Sequence, residues 1–254
     1  MTKVLVLVPF AFDEKGLANR RGQLSTVKLG PDIEFDYRAV KAGPTDYDSY
    51  HDWLIADVGM LEAGMTAQDE GYDAVCSDTM SDSGVAALRS VLDIPVIGPG
   101  KASYLTALML GRKFGILSQW DPWNAVFVRG LEEYGLQDRC VSIRSINTPP
   151  DVENLLGGKE DVVFPKLLAV GRQLVEDGAD VICLGSTTMY QAHAFLTANL
   201  EVPIINPGAL TYKLCELMLG LHLTHSRRAY SKQEKPKSAM IHAMVAAGAE
   251  VGSD

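Results

Sequence analysis

Glu70-Gly71-Tyr72-Asp73-Ala74-Val75-Cys76-Ser77-Asp78-Thr79 can be laid over Asp177-Gly178-Ala179-Asp180-Val181-Ile182-Cys183-Leu184-Gly185-Ser186 at an offset of 107. Each copy continues through an amphipathic stretch to a Pro-containing strand. These are Ile94-Pro95-Val96-Ile97-Gly98-Pro99-Gly100 and Val202-Pro203-Ile204-Ile205-Asn206-Pro207-Gly208, at an offset of 108, so one indel separates the copies. An internal repeat is the first thing to settle about a fold. Each unit reads as helix, Gly-x-Asp turn, buried strand, polar loop, helix and a second strand ending at Pro-Gly, which is βαβ grammar.

Outward from the repeat, the apolar runs Val4 to Val8, Ala74 to Cys76, Val96 to Ile97, Phe114 to Leu117, Val181 to Leu184 and Ile204 to Ile205 predict parallel strands. Pro95 and Pro203 fit at strand starts, where no ladder N–H is lost. Helices are expected around Tyr50 to Gln68, Gly84 to Val91, Ala102 to Leu110, Trp123 to Tyr134, Val163 to Glu176, Tyr190 to Asn199 and Leu210 to Leu221. The fold class is therefore α/β: two pseudo-symmetric three-layer lobes with mainly parallel sheets and a cleft between them. Residues 1–100 with 207–254 would form the first lobe and residues 101–206 the second. Ligands of open α/β sheets lie beyond the carboxyl ends of the strands, which directs attention to the loops after residues 8, 77, 117 and 184. Thr79 and Ser186 would then face each other across the cleft.

The chain has 254 residues, 47% hydrophobic and 22% charged, with no low-complexity tract, which excludes a disordered, collagen-like or disulfide-scaffold protein. A formal charge of −9 argues against a broad nucleic-acid or anionic-membrane surface, so neither is an expected partner. The opening Met1 to Pro9 reads as a first strand rather than a leader, because no small-residue cleavage pattern follows it. No run approaches the roughly 18 to 20 apolar residues of a membrane span. Cys76, Cys140, Cys183 and Cys215 form no CxxC pair, and a cytoplasmic location is the default expectation. The locally basic Ser226 to Lys237 is expected to be either a solvated segment or a closing flap or subunit contact.

Two post-strand loops carry the strongest chemical signal, Ser77-Asp78-Thr79-Met80-Ser81-Asp82-Ser83-Gly84 and Gly185-Ser186-Thr187-Thr188-Met189. Free backbone N–H groups and short hydroxyls ahead of helices suit a carboxylate or carbonyl, although Ser and Thr are also ordinary helix caps. Candidate binding residues are Met80, Ser81, Thr187 and Thr188 from these loops. Pro9 and Phe10 follow the first strand, Asn19 and Arg20 are suited to amide and carboxylate recognition, Ser118, Gln119 and Trp120 follow the fourth apolar run, and Pro207 closes the second repeat. Candidate catalytic residues are Thr79, Ser186, Asp78 and His193, the last placed two helical turns beyond Ser186. Trp120 and Trp123 would line an aromatic pocket or pack beneath the loop. Cys76 and Cys183 lie inside apolar strands without a neighbouring cation and read as structural. Gly98-Pro99-Gly100-Lys101 lacks Walker spacing, and neither a Gly-x-Gly-x-x-Gly nor a Gly-x-Ser-x-Gly follows a strand, so no cofactor and no metal is implied.

With GYDAV, the DSG of Asp82 to Gly84, IPVIGPG, GADVICLG, VPIINPG and the LTHSRRAY of Leu223 to Tyr230, the chain resembles the aspartate/glutamate racemase superfamily, within it the hydantoin racemase-like branch. The resemblance implies two α/β lobes, a homo-oligomer and cofactor-independent proton transfer by one cysteine from each lobe. Matching the motifs puts Thr79 and Ser186 where the two cysteines would stand. An unactivated hydroxyl deprotonates a carbon acid far less readily than a thiol of pKa about 8.5. Three functions then remain: a racemase-lineage isomerase acting on a small carboxylate or cyclic amide with a non-thiol base such as Asp78 or His193, a hydrolase or lyase using Ser186 or Thr79, and a non-catalytic binder of small ligands.

Overall fold

The computed structural model describes residues 1–151 and 158–252. Among them, β1 (Thr2–Val8), β2 (Ile33–Ala39), β3 (Ala74–Ser77) and β4 (Val96–Ile97) form one four-stranded sheet in the order β2-β1-β3-β4. A second sheet holds β5 (Phe114–Ser118), β6 (Cys140–Ser145), β7 (Val181–Leu184) and β8 (Ile204–Ile205) in the order β6-β5-β7-β8. All pairings are parallel, and the second sheet repeats the strand order of the first.

The Gly-x-Asp turn shows how the sequence builds each copy. Gly71 and Gly178 take φ of +88° and +96°, a conformation that costs glycine nothing. Each ends a helical turn, with Tyr72 N donating to Ala67 O and Ala179 N to Leu174 O at 3.0 Å. The aspartate that follows then ties the new strand to its neighbour. Asp73 Oδ2 accepts from Lys3 N at 2.8 Å, and Asp180 Oδ2 accepts from Arg112 N and Lys113 N at 2.8 and 3.0 Å. The prolines keep their acceptor role: Val75 N donates to Pro95 O and Ile182 N to Pro203 O, at 2.9 and 3.0 Å.

Helices cover both faces of each sheet. They are α1 (Glu14–Arg21), α2 (Tyr50–Gly64), α3 (Val85–Arg89), α4 (Pro99–Leu110), α5 (Asn124–Tyr134), α6 (Glu160–Glu176), α7 (Tyr190–Asn199), α8 (Pro207–Gly220) and α9 (Ser238–Val251). Alternation along the strands divides the core. Leu5, Leu7 and Val75 pack with Met60 and Ala63 of α2 and Leu88 of α3, whereas Val4, Val6, Val8 and Cys76 pack with Leu17 of α1 and with Tyr212 and Cys215 of α8. In the second sheet Leu117, Ile182 and Leu184 meet Leu167 of α6 and Leu196 of α7, and Phe114, Ile116 and Cys183 meet Tyr104 of α4 and Phe127 of α5. The late helix α8 thus returns to the first sheet.

Several elements depart from the sequence reading for identifiable reasons. Helices α4 and α8 begin three residues early, at Pro99 and Pro207, because proline at the first helical position is pre-set for a helix and lacks only an N–H that would be unpaired there. Helix α2 stops at Gly64 rather than Gln68, α3 is only five residues long, and α6 starts at Glu160. Strand β2 alternates apolar with charged residues on the sheet edge, and α1 carries little apolar signal but is capped by Asp13, whose Oδ1 accepts from Gly16 N at 2.9 Å. Helix α9 buries only Val245. Within the basic tail Arg227 is tied to the first lobe: its guanidinium binds Asp93 Oδ1 at 2.7 Å and the carbonyls of Arg89 and Leu92. No helix among the described residues is long and apolar enough to cross a membrane.

Candidate active site

The carboxyl ends of both sheets open on one cleft of about 620 Å³, counted out to its mouth. Pro9 and Phe10 enter it from the end of β1, Asp78 to Ser81 from β3, Gln119 from β5 and Gly185 to Thr188 from β7. Of the residues singled out in the sequence, Pro9, Phe10, Arg20, Asp78, Thr79, Met80, Ser81, Gln119, Ser186, Thr187 and Thr188 all line it.

The two hydroxyl loops have the same internal geometry. Thr79 Oγ1 lies 3.0 Å from Ser81 Oγ and 3.5 Å from Ser81 N; Ser186 Oγ lies 2.8 Å from Thr188 Oγ1 and accepts from Thr188 N at 3.3 Å. Ser186 caps a short 3-10 turn, Thr187–Met189, so capping and cleft lining are properties of the same side chain. The loops also meet directly, with Thr187 Oγ1 donating to Asp78 O at 3.3 Å.

Asp78 is the electrostatic centre of the first loop. Its carboxylate accepts from Arg20 at 3.3 Å and from Gln23 Nε2 at 3.0 Å, and both members of the ion pair are almost fully buried. Burial pushes the Asp78 carboxyl above its ordinary value, against the pull of Arg20, Gln23 and Thr187. The Arg20 guanidinium also stands over the rings of Phe10 and Phe12, at 5.6 and 5.3 Å.

Five predicted residues are not brought to the cleft. His193 does not reach it: its Nε2 lies 3.1 Å from Ile204 O, because its place in the first turn of α7 carries the ring towards β8. Asn19 lies on α1 beside Arg20, but only Arg20 lines the cleft. Ser118 is fully buried with Oγ donating to Trp120 O at 3.2 Å. Trp120 packs edge-on against Trp123, and it is Trp123 that lines the cleft. Pro207 is buried at the start of α8.

Other contributors carried no local signal. Tyr47, in the loop before α2, lines the cleft and hydrogen-bonds Ser81 Oγ at 2.9 Å and Ser83 Oγ. Val126 and Phe127 of α5, with Pro150 and Asp151 after β6, complete the wall. Cys76 and Cys183 stay in the core, where burial raises both thiols well above their ordinary value. Among the described residues, no group of three or more His, Cys, Asp or Glu converges as a metal site.

Two duplicated parallel α/β lobes presenting matched hydroxyl loops to one cleft define a two-lobed α/β enzyme. The Asp/Glu/Hydantoin racemase family matches residues 23–215, and the chain belongs to that family. It is 29% identical over 196 residues to a hydantoin racemase of Pseudomonas sp. (strain NS671), covering 77% of this chain and 78% of the relative. The allantoin racemase from Klebsiella pneumoniae superposes with a TM-score of 0.82 at 25% identity, covering 93% of this chain and 95% of that one. A glutamate racemase from Bacillus anthracis shares the fold, with a TM-score of 0.60 at 17% identity over 89% of this chain and 84% of that one.

Proposed function

We propose that this enzyme racemises a small neutral cyclic amide of the hydantoin type, with neither cofactor nor thiol. The observation that carries the reading is the matched pair of loops, Thr79 to Ser81 and Ser186 to Thr188, facing one cleft beside the buried Asp78 carboxylate. The names of the hydantoin and allantoin racemase relatives support the substrate class. So does charge: Arg20 is already neutralised by Asp78, leaving little to attract a dicarboxylate.

In this reading Asp78 removes the proton from the ring carbon next to the carbonyl, and Arg20 and Gln23 hold its carboxylate in place. The electron pair moves onto the carbonyl oxygen, where loop N–H groups and hydroxyls stabilise it. Return of the proton by Asp78 restores the starting enantiomer; delivery of a water-borne proton to the opposite face of the planar intermediate, with Asp78 losing its own proton to solvent, gives the other. A hydrolytic use of Ser186 is less well served, because a serine nucleophile needs a base and Ser186 Oγ is bonded instead to Thr188 Oγ1 and Thr188 N. Taking residues 1–100 with 207–254 as one lobe and 101–206 as the other belongs to the same reading, supported by the packing of Tyr212 and Cys215 on the first sheet.

Enantiopure 5-substituted hydantoins and allantoin incubated in D2O test it. Optical rotation should decay faster than in buffer alone, with deuterium entering at the ring carbon. Ring-opened product, or no acceleration across the panel, would overturn the proposal.

A further inference from the structure

The geometry points to Thr79 as a hydrogen-bond acceptor in the cleft, a receptor for a substrate N–H rather than a donor to a carbonyl or carboxylate. The argument is proton accounting over four hydroxyls. A hydroxyl has one proton to give and two lone pairs to receive. Ser81 Oγ donates to Ser83 Oγ at 3.0 Å, which commits its proton. Its contacts with Tyr47 Oη at 2.9 Å and Thr79 Oγ1 at 3.0 Å must then both be accepted, alongside a longer donation from Ser83 N at 3.3 Å, so that three donors share its two lone pairs. The contact between Ser83 Oγ and Tyr47 Oη admits either donor, and with the Tyr47 proton given to Ser81 it is Ser83 that donates and closes the ring. Tyr47 and Ser83 are buried, at 5% and 3% exposure, so the ring is shielded from bulk water. Burial also holds the Tyr47 phenol up at about 12, so it keeps its proton at neutral pH.

Every proton in the ring is thus spent inward, including that of Thr79. What half-buried Thr79 shows to the cleft is a lone pair, which an amide N–H satisfies and a carboxylate oxygen does not. The second loop differs: the 2.8 Å contact between Ser186 and Thr188 admits either donor, so that side can meet a carbonyl. The duplicated loops therefore read two different groups of one ring. This assignment rests on the cyclic-amide reading above.

Calorimetric titration with hydantoin, 1-methylhydantoin and 3-methylhydantoin tests it, since binding is read without turnover. In the wild type one of the two methylated rings should bind roughly three- to tenfold more weakly than hydantoin, the range of one neutral hydrogen bond. Thr79→Val, of equal volume, should weaken hydantoin by a similar factor and leave that methylated ring unchanged, so the gap closes. Ser83→Ala, which frees the Ser81 proton to turn towards Thr79, should shrink the gap without touching the cleft wall. Equal affinity for all three ligands in the wild type, or a gap that survives Thr79→Val, would overturn the assignment. Absence of hydantoin binding to the wild type would overturn the substrate class and this assignment with it.

Discussion

At the scale of single residues the site is governed by what happens to a carboxylate when water is removed. Asp78 is buried with Arg20 and Gln23 as partners, and burial leaves its proton affinity higher than that of an exposed aspartate. A general base must be ionised, so kcat/KM should fall as pH drops through this raised value, placing the acid limb above the ordinary aspartate pKa of 3.8. A limb at or below that value would remove Asp78 from the role. Asp78→Asn should lower kcat by about 10²- to 10⁴-fold. It also strands Arg20, and breaking a buried pair costs about 3–5 kcal/mol. The double variant Asp78→Asn, Arg20→Gln should recover much of that stability in urea titrations and none of the activity, which separates chemistry from folding. Asp78, Thr79 and Ser186 were legible because they follow the apolar strands of the two repeats, and Arg20 because a guanidinium after the first strand suits carboxylate pairing. Tyr47 was not, because its place beside Ser81 and Ser83 depends on a loop packed from another part of the sheet. His193 was misplaced because helical spacing fixes its distance along α7 but not the direction of its ring.

Among the elements, the start of α4 shows how the loop after β3 is anchored. Asp82, at a left-handed φ of +54°, accepts from Gly100 N and Lys101 N at 2.8 Å and from Tyr134 Oη at 2.7 Å. One carboxylate thus caps α4, holds α5 and ends the Thr79–Ser81 loop. Gly98 and Gly100 are required there, since a Cβ on Gly98 would run into the Asp82 carboxylate and one on Gly100 into Met80 O. Asp82→Ala loses the cap and places alanine in a strained conformation; about 1–2 kcal/mol of stability should go with the cap alone. Asp82→Asn, which tolerates the left-handed region, should cost less in the same denaturant titration. Equal costs would mean that backbone conformation is irrelevant at this position. The IPVIGPG stretch identified a strand running into a turn, but the carboxylate that makes its glycines necessary lies sixteen residues upstream of Gly98 and is visible only in three dimensions.

For the whole molecule, the C-terminal helix α9 is fastened through a buried carboxylate. Glu62 of α2 accepts from Lys41 Nζ at 2.6 Å and from His242 Nδ1 of α9 at 2.8 Å. Burial alone would raise its pKa, but these two bonds outweigh burial and hold it below the usual glutamate range. The folded state therefore binds fewer protons here than the unfolded chain between the two values, so this contribution is present above the ordinary glutamate pKa and is lost as pH falls through the lowered one. Urea midpoints measured from pH 3 to 7 should show a steeper acid loss in the wild type than in Glu62→Gln; parallel profiles would assign the acid sensitivity elsewhere. Cys183→Ser, behind the cleft wall rather than in it, should leave turnover nearly unchanged in folded protein, whereas a dead but folded variant would reverse its structural role.

By itself the sequence determined the duplicated βαβ units, because Gly-x-Asp turns, apolar strands and Pro-Gly strand ends are local preferences written over a few residues. The same local signals located both hydroxyl loops, and with them most of the cleft. Tertiary structure alone decided which side chains share that cleft. Tyr47, Phe127 and Gln23 reach it or its carboxylate from elements remote in sequence, Trp123 takes the place expected of Trp120, and the ring around Ser81 fixes the hydrogen-bond polarity of Thr79. Such choices follow from packing between lobes and from the need to pair every buried proton, neither of which is a property of any short stretch of chain.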